Sequence, residues 1–583
     1  MSTEQKSEIV KIGISISPGV AICPAFVYRV LKYHDIRQDT QISDQEVTKQ
    51  IKKLSFAISH AKATVNMQRN RMIGKTKKYH LGIFEFQTYL LEDSSFIEKI
   101  KTAISEQKIT AYQAVIEVTN DLAQKMKQTF EDIKDVGNLI CSFLSDEETY
   151  LTSIPENKPF IFVSDILTPS IVSFLINSEV QGVITELGGK TSHAVILSES
   201  LRVPVVVNTP GITVEVQNED IIGMDGDCGK IVVNPTPRRL KAFERLQKWH
   251  NRYTRRIQRD AHKQARTEDK YKIKIWANIE LVSELDYVID SGAEGIGLYR
   301  TEFLFLENPH KSPDINEQYK IYREVVTRMD GRPVTFRILD IGADKIPYFI
   351  NGNKVDWAEE PNPALGYRGV RLLRGHRDEI IIPQLKAILK ASAYGPVKIM
   401  LPMVSLVEEA MDFKVLVEEA VKSLGKEAPR RKPPLGIMLE TPSSVLLIDK
   451  FAKYMDFFSI GTNDLTQYVL AVDRNNAQVA YMWDHYHPAV LKLVSDSIVY
   501  ARENKKLISI CGEAAGDPYL AALFIGLGAN ILSISPTKVA ELKHYIRQWN
   551  QQQLKEIAAE VINYQSAQEV RTFLKRKVKV GIL

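Results

Sequence analysis

The chain has 583 residues, 44% hydrophobic and 25% charged, with a formal net charge of +5. That length accommodates several domains and a large core, the composition excludes a disordered or fibrous chain, and so small a net charge gives no reason to expect nucleic acid as a partner. Four scattered cysteines (Cys23, Cys141, Cys228, Cys511) form no CxxC pair, which argues against a zinc site or a disulfide framework and fits a reducing compartment. The polar start MSTEQKSEIVKIG lacks a signal-peptide core, and no apolar run reaches the ~18 residues of a membrane span. The expectation is a cytoplasmic protein with no membrane insertion.

In chain order, Ile9–Val27 reads as short strands broken at Ser17-Pro18-Gly19. From about residue 36 to 146 prolines become scarce and apolar residues recur at helical spacing, as in FEFQTYLLED and AYQAVIEVTNDLAQKMKQTFEDI. This predicts a bundle of four or so helices. From about Lys158, short apolar runs (PFIFVSDI, VQGVITEL, VPVVVNT, DIIGMDG, KIVVNP) alternate with short helices, the pattern of a compact α/β domain. The helical block thus reads as an insertion between residues 1–35 and 147–236. Residues 237–265 predict a linker helix. The stretch Arg238–Lys272 carries 13 basic and 4 acidic residues, and Trp249 and Tyr253 within it form no stacking series.

The segment 266–583 holds eight strand-like runs: YKIKIWANI, GIGLYR, PVTFRILDIG, VKIMLPMV, LGIMLET, FFSIGTND, LISICGE and ILSIS. Most are apolar throughout, as a parallel sheet covered on both faces requires. Count and alternation predict a (β/α)₈ (TIM) barrel, with a doubly wound open sheet as the alternative. Polar residues gather where the strands end: Asn278, Arg300, Arg337 with Asp340, Glu440, Asn463 with Asp464, Cys511 with Glu513, and Ser535. Barrel enzymes place their sites at that end.

Those residue types share a chemistry. Arg300, Arg337, Arg368 and Arg474 offer planar forks for carboxylate or phosphate oxygens. Glu440 and Asp464 end neighbouring strands, and two such carboxylates suit Mg²⁺, which completes its octahedron with substrate oxygens and water. A thiol at Cys511 with an ordinary pKa near ~8.5 stays protonated at neutral pH and can deliver a proton. A small phosphorylated carboxylate whose carbon must be protonated, such as phosphoenolpyruvate, fits this set. Each residue also has a structural reading: surface salt bridges for the arginines, a helix cap at Glu440-Thr441-Pro442, a turn at Asn463-Asp464, packing for Cys511. Upstream, Gly188-Gly189-Lys190-Thr191-Ser192-His193 precedes an apolar helical run. A histidine at a helix start can carry a phosphoryl group against the helix dipole, and the same dipole keeps the ring neutral and nucleophilic. An N-cap with an incidental histidine is the plainer alternative.

GGKTSHAVIL, GIGLYRTEFLF, GIMLETP, DFFSIGTNDLTQYVLAVDRN and CGEAAGDP, in this order, resemble the Enzyme I family of bacterial phosphotransferase systems, the phosphoenolpyruvate–protein phosphotransferases. The likeness spans nearly the whole chain. It implies an N-terminal α/β phosphohistidine domain (1–35 and 147–236) with an inserted bundle (36–146) that docks the phosphocarrier HPr. It further implies a linker helix (237–265) and a phosphoenolpyruvate-binding barrel (266–583) that forms a homodimer. By position it implies His193 as the phosphorylated residue and Cys511 as proton donor. Arg300, Arg337, Arg368, Asn463 and Arg474 become substrate contacts, and Glu440 and Asp464 the Mg²⁺ ligands, with Asp464 also at the substrate. Two positions depart from the family pattern: Ser198-Glu199 replaces Ala-Arg in TSHxxIxAR, and Ala343 interrupts DIGGDK. They leave open a binding protein that has lost catalysis. An ATP-using dikinase, which shares GGxTSH, requires a nucleotide domain for which the sequence ahead of His193 leaves no room.

Overall fold

The computed structural model describes residues 7–28, 41–72, 78–125, 130–144, 158–176, 178–188, 201, 203–306, 311–342, 362–474, 476 and 478–581. The chain divides into two compact units, Met1–Thr254 and Arg255–Leu583.

The first unit is built on an eight-stranded sheet. Its strands are β1 (Ile9–Ile12), β2 (Ile14–Ser17), β3 (Val20–Tyr28), β4 (Phe160–Ser164), β5 (Val180–Thr185), β6 (Val205–Val207), β7 (Ile221–Asp225) and β8 (Lys230–Val233), in the order β1-β8-β7-β3-β4-β5-β6-β2. The strands β3 to β6 run parallel, and the flanks are antiparallel. Successive side chains of a strand point to opposite faces, and β4 is buried on both. Ile161 and Val163 join a core with Met224, Ile231 and Val233. Phe160 and Phe162 join a second core that continues into the helices. Those helices are α1 (Asp44–Met72), α2 (Lys78–Glu92), α3 (Ser94–Gln107), α4 (Ala111–Lys125) and α5 (Phe130–Leu144), five described helices where the sequence suggested about four. The Glu46 carboxylate accepts from the Ser43 N–H and hydroxyl and so fixes the start of α1, a local capping arrangement. Leu54, Val65, Phe84, Val115 and Ile140 from the bundle share one continuous apolar cluster with Phe160, Val183 and Val205 from the sheet. The bundle and this face of the sheet are therefore packed as one body.

The segment expected to be a linker helix forms α6 (Pro237–Ala261). Its proline occupies the first turn, where a missing N–H costs nothing. Phe243 lies on β7 at Gly223, where an added Cβ would fall 2.8 Å from the ring. Gln247 Nε2 donates to Val20 O (3.2 Å). Trp249 and Tyr253 do stack on each other, with centroids 5.2 Å apart and planes 8° apart, because i,i+4 neighbours share a helix face.

The second unit is a closed barrel of eight parallel strands: β9 (Lys274–Ile279), β10 (Ile296–Tyr299), β11 (Val334–Arg337), β12 (Val397–Leu401), β13 (Leu435–Leu439), β14 (Phe457–Gly461), β15 (Leu507–Cys511) and β16 (Ile531–Ile534). Pairing of β16 with β9 closes it, Ile531 opposite Lys274 through Ile534 opposite Ala277. That pairing excludes the open doubly wound sheet. Small residues make room for large ones inside: a Cβ at Gly436 would lie 2.6 Å from the Phe457 ring, and one at Gly297 would strike Ser533. Among the described residues, no helix is long and apolar enough to cross a membrane.

Candidate active site

Arg337 is the last residue of β11, Glu440 follows β13 directly, and Cys511 ends β15. Strand ends of a closed barrel converge on one mouth, so three of the sequence candidates meet for topological reasons. Asn463 and Asp464 lie elsewhere than expected. They sit in the first turn of a helix, α7 (Thr462–Leu470), rather than at a strand end or in a turn. Arg368 and Arg474 lie outside strands as well, before the short helix Val370–Gly375 and after α7. Asn278 is occupied in the sheet, donating to Ser533 O (2.9 Å) and accepting from Ser533 Oγ (2.6 Å).

The arginines are interlocked with carboxylates. Arg337 Nη2 donates to Glu302 Oε1 (2.9 Å), and its Nη1 lies 3.1 Å from Asp340 Oδ2. Arg368 Nη2 donates to the same Asp340 Oδ2 (3.0 Å). Burial opposes charge on Arg337, yet Glu302, Asp340, Glu440 and Asp464 together raise its pKa. Burial likewise opposes ionisation of Asp340, but Arg337 and Arg368 prevail and hold its carboxyl below the usual range. Glu302 was not singled out from the sequence. Its oxygen also accepts the Asp340 N–H (2.8 Å), so it fixes both Arg337 and the loop after β11. The only sequence signal was its place just after the strand end in LYRTEF. Arg300 pairs with Glu280 across the rim.

Asp464 Oδ1 faces Arg368 Nη1 at 3.7 Å and Arg474 Nη2 at 3.6 Å. These are charge contacts without hydrogen bonds. Glu440 is fully buried, and its Oε1 accepts from Met403 N–H (2.6 Å). Burial, followed by the charges of Asp464 and Asp340, pushes its carboxyl well above the ordinary carboxylate range. A carboxylate so placed calls for a cation. The described residues include no group of three His, Cys, Asp or Glu able to hold a metal. The donor set is these two carboxylates, with Glu440 Oε2 and Asp464 Oδ1 buried and without a hydrogen bond. Hard oxygen donors few in number suit Mg²⁺, which keeps waters and substrate oxygens as its other ligands.

Three guanidinium nitrogens of the same rim are also buried and unpaired: Arg300 Nε, Arg337 Nε and Arg474 Nη1. Buried polar groups are rarely left so; an anionic ligand would supply the missing acceptors. Asn463 Nδ2 donates to Glu513 Oε1 (3.3 Å), and Asn463 Oδ1 accepts Glu513 N–H (3.0 Å). Cys511 ends a chain of inward-facing groups. Ser509 Oγ donates to Ser459 Oγ (2.9 Å), Ser459 Oγ to Cys511 Sγ (3.3 Å), and Cys511 Sγ to Ile460 O (3.3 Å). Burial pushes the Cys511 thiol up to about 11, so it is protonated at neutral pH. His193, Glu199 and Ala343 lie outside the described residues. The chain approaches His193 through Gly188, whose φ of +132° forms the turn after β5.

Three family profiles match this chain in series. They are PEP-utilising enzyme, N-terminal, over residues 12–133; PEP-utilising enzyme, mobile domain, over 156–229; and PEP-utilising enzyme, PEP-binding domain, over 254–551. With the barrel and its rim, these matches define a phosphoenolpyruvate-utilising enzyme. The phosphoenolpyruvate-protein phosphotransferase of Staphylococcus carnosus (strain TM300) is 35% identical over 96% of this chain and 97% of its own length. That of Staphylococcus aureus (strain Mu50) is 35% identical over 98% and 100%, and that of Bacillus sp. (strain S) 33% over 97% and 97%. The chain belongs to the phosphoenolpyruvate-protein phosphotransferase family.

Proposed function

We propose that this protein takes the phosphoryl group of phosphoenolpyruvate onto His193, releases pyruvate, and passes the group to the phosphocarrier HPr, serving sugar uptake or its regulation. The observation that carries the reading is the convergence at the barrel mouth of two carboxylate oxygens and three guanidinium N–H groups, all buried and without a hydrogen bond. A phosphorylated carboxylate held with a divalent cation satisfies both sets at once.

In this reading Glu440 and Asp464 hold Mg²⁺, which when bound neutralises charge on the substrate oxygens. Arg300, Arg337 and Arg474 grip the anionic groups, with Arg368 behind them and Asn463 beside them. Glu302 and Asp340 keep Arg337 from collapsing into the space the substrate needs. The neutral ring of His193 attacks phosphorus in line, and the bond from phosphorus to the enol oxygen breaks with its electron pair leaving on that oxygen. The resulting enolate takes the proton of Cys511 at carbon and becomes pyruvate. Stabilisation by fixed charges in a dry site is the main catalytic contribution. A cytoplasmic location, docking of HPr on residues 36–146 and a homodimer through the barrel belong to the same proposal.

The test is incubation of the full chain with ³²P-phosphoenolpyruvate and Mg²⁺. The expected result is a label on His193, stable in base, lost in acid, absent from His193→Ala, and transferable to HPr. Absence of label at any pH or metal concentration overturns the reading and favours a binding role. Labelling by ATP instead of phosphoenolpyruvate revives the dikinase alternative.

A further inference from the structure

The N-terminal mouth of the barrel, opposite the catalytic rim, carries a polar pocket of about 240 Å³. Its walls come from the loops entering β10 and β11, from the residues after α6, and from a helix, α8 (Pro536–Ile546), that follows β16. Lys543 of α8 is 1% exposed. Its Nζ donates to Ala261 O (3.0 Å), at the end of α6, and to Gly292 O (2.6 Å). Gly292 has φ +75°, and a Cβ there would sit 2.1 Å from Ala261 O. Only glycine lets the two segments close on one amine. Glu294 Oε1 lies 3.9 Å from that amine, too far for a hydrogen bond, and is buried with no donor. Arg332 and His262 also line the pocket, and their side chains make no hydrogen bond or salt bridge among the described residues.

Lys543 is acted on by two charged neighbours, Glu294 of opposite sign and Arg332 of like sign. Lys543 and Glu294 offset each other, but one Glu294 oxygen still lacks a donor. Arg332, with His262 beside it, presents a planar fork without an acceptor. A simple carboxylate or phosphate answers Arg332 but brings like charge towards Glu294. A simple amine does the reverse. We infer that this pocket binds a free α-amino acid, its carboxylate on Arg332 and its ammonium on the open oxygen of Glu294. The volume holds one small metabolite. Since His262 and Gln264 follow directly on α6, an occupant ties the end of the linker to the barrel floor, away from the phosphoenolpyruvate site.

Isothermal titration of the full chain with each of the twenty free amino acids tests this. Saturable binding of at least one is expected at millimolar concentration or below, with the matching 2-hydroxy acid and the matching decarboxylated amine each at least about tenfold weaker. Arg332→Gln and Glu294→Gln each lower the affinity by at least about tenfold and leave ³²P labelling without amino acid unchanged. Saturating phosphoenolpyruvate does not displace the ligand. Failure of all twenty to bind, equal binding of the 2-hydroxy acid, displacement by phosphoenolpyruvate, or unchanged affinity in both variants overturns the proposal. If Arg332→Gln does not fold, Glu294→Gln alone decides.

Discussion

At the scale of single residues, Cys511 is the sharpest case. A buried thiol is commonly packing, and this one does lie in the barrel core beside Met438 and Phe457. In the proposed mechanism burial would also make it a useful acid, since a pKa near 11 keeps the proton on sulfur at neutral pH. Cys511→Ala is expected to slow pyruvate formation by about 10² or more while leaving phosphoenolpyruvate affinity within a few fold, as separate binding and single-turnover measurements would show. Normal turnover would remove Cys511 from the mechanism. The wild-type rate should show no fall near pH 8–9 attributable to the thiol, because its ionisation lies higher. Asp464→Asn is expected to weaken Mn²⁺ or Mg²⁺ binding by at least about tenfold, read directly by calorimetry. The proposed cation site rests on two carboxylate oxygens without hydrogen bonds, and the substitution turns one donor group into an amide.

At the scale of elements, two features join segments distant in sequence. Gly512, after β15, has φ +98° and ψ −177°, with room for no Cβ: one would lie 2.4 Å from Thr462 Oγ1 and 3.0 Å from Asn463 Oδ1. The backbone conformation is open only to glycine. Gly512→Ala is expected to cost about 1–3 kcal/mol, measured by denaturant unfolding, and to weaken phosphoenolpyruvate binding by pushing Asn463 and the start of α7. On the linker helix, His250 Nδ1 lies 3.6 Å from Asp227 Oδ2. The facing Asp227 carboxylate raises the His250 pKa, and His250 lowers that of Asp227. The histidine's contribution is full below its unfolded value near ~6.5 and fades as pH rises through the raised folded value. The aspartate's is present above about 3.9 and fades as pH falls through its lowered folded value. The two overlap between about pH 4 and 6.5. His250→Gln should therefore destabilise the protein most near pH 5–6 and not at all well above pH 8. Solvent screening keeps the effect below about 1 kcal/mol. Thermal melts across that range would show it, and a pH-independent difference would exclude the pair as its source.

At the scale of the whole molecule, the chain makes two bodies, one on a mixed sheet with a parallel centre and one a closed parallel barrel, each with helices packed on its strands. The barrel strands were legible because a strand buried on both faces reads as an unbroken apolar run, and eight such runs alternating with helical stretches leave few topologies. The inserted bundle was legible from its 3.6-residue period. Residues immediately at strand ends, Arg337, Glu440 and Cys511, could be assigned to one mouth for the same reason. Glu302 escaped notice because its value lies in a partner 35 positions away, and no local pattern marks a carboxylate that reaches into another strand's arginine. Asn463 and Asp464 were placed one element too early, since both favour turns and here open a helix. Local pattern thus determined which segments are strands and which are helices, because a strand buried on both faces is apolar throughout while a helix buries every third to fourth side chain. Barrel closure, the buried atoms left without partners, and the amphoteric pocket beneath them were decided only in three dimensions. Each depends on distances between side chains that the chain brings together from far apart, and hydrogen-bond satisfaction is a property of those distances.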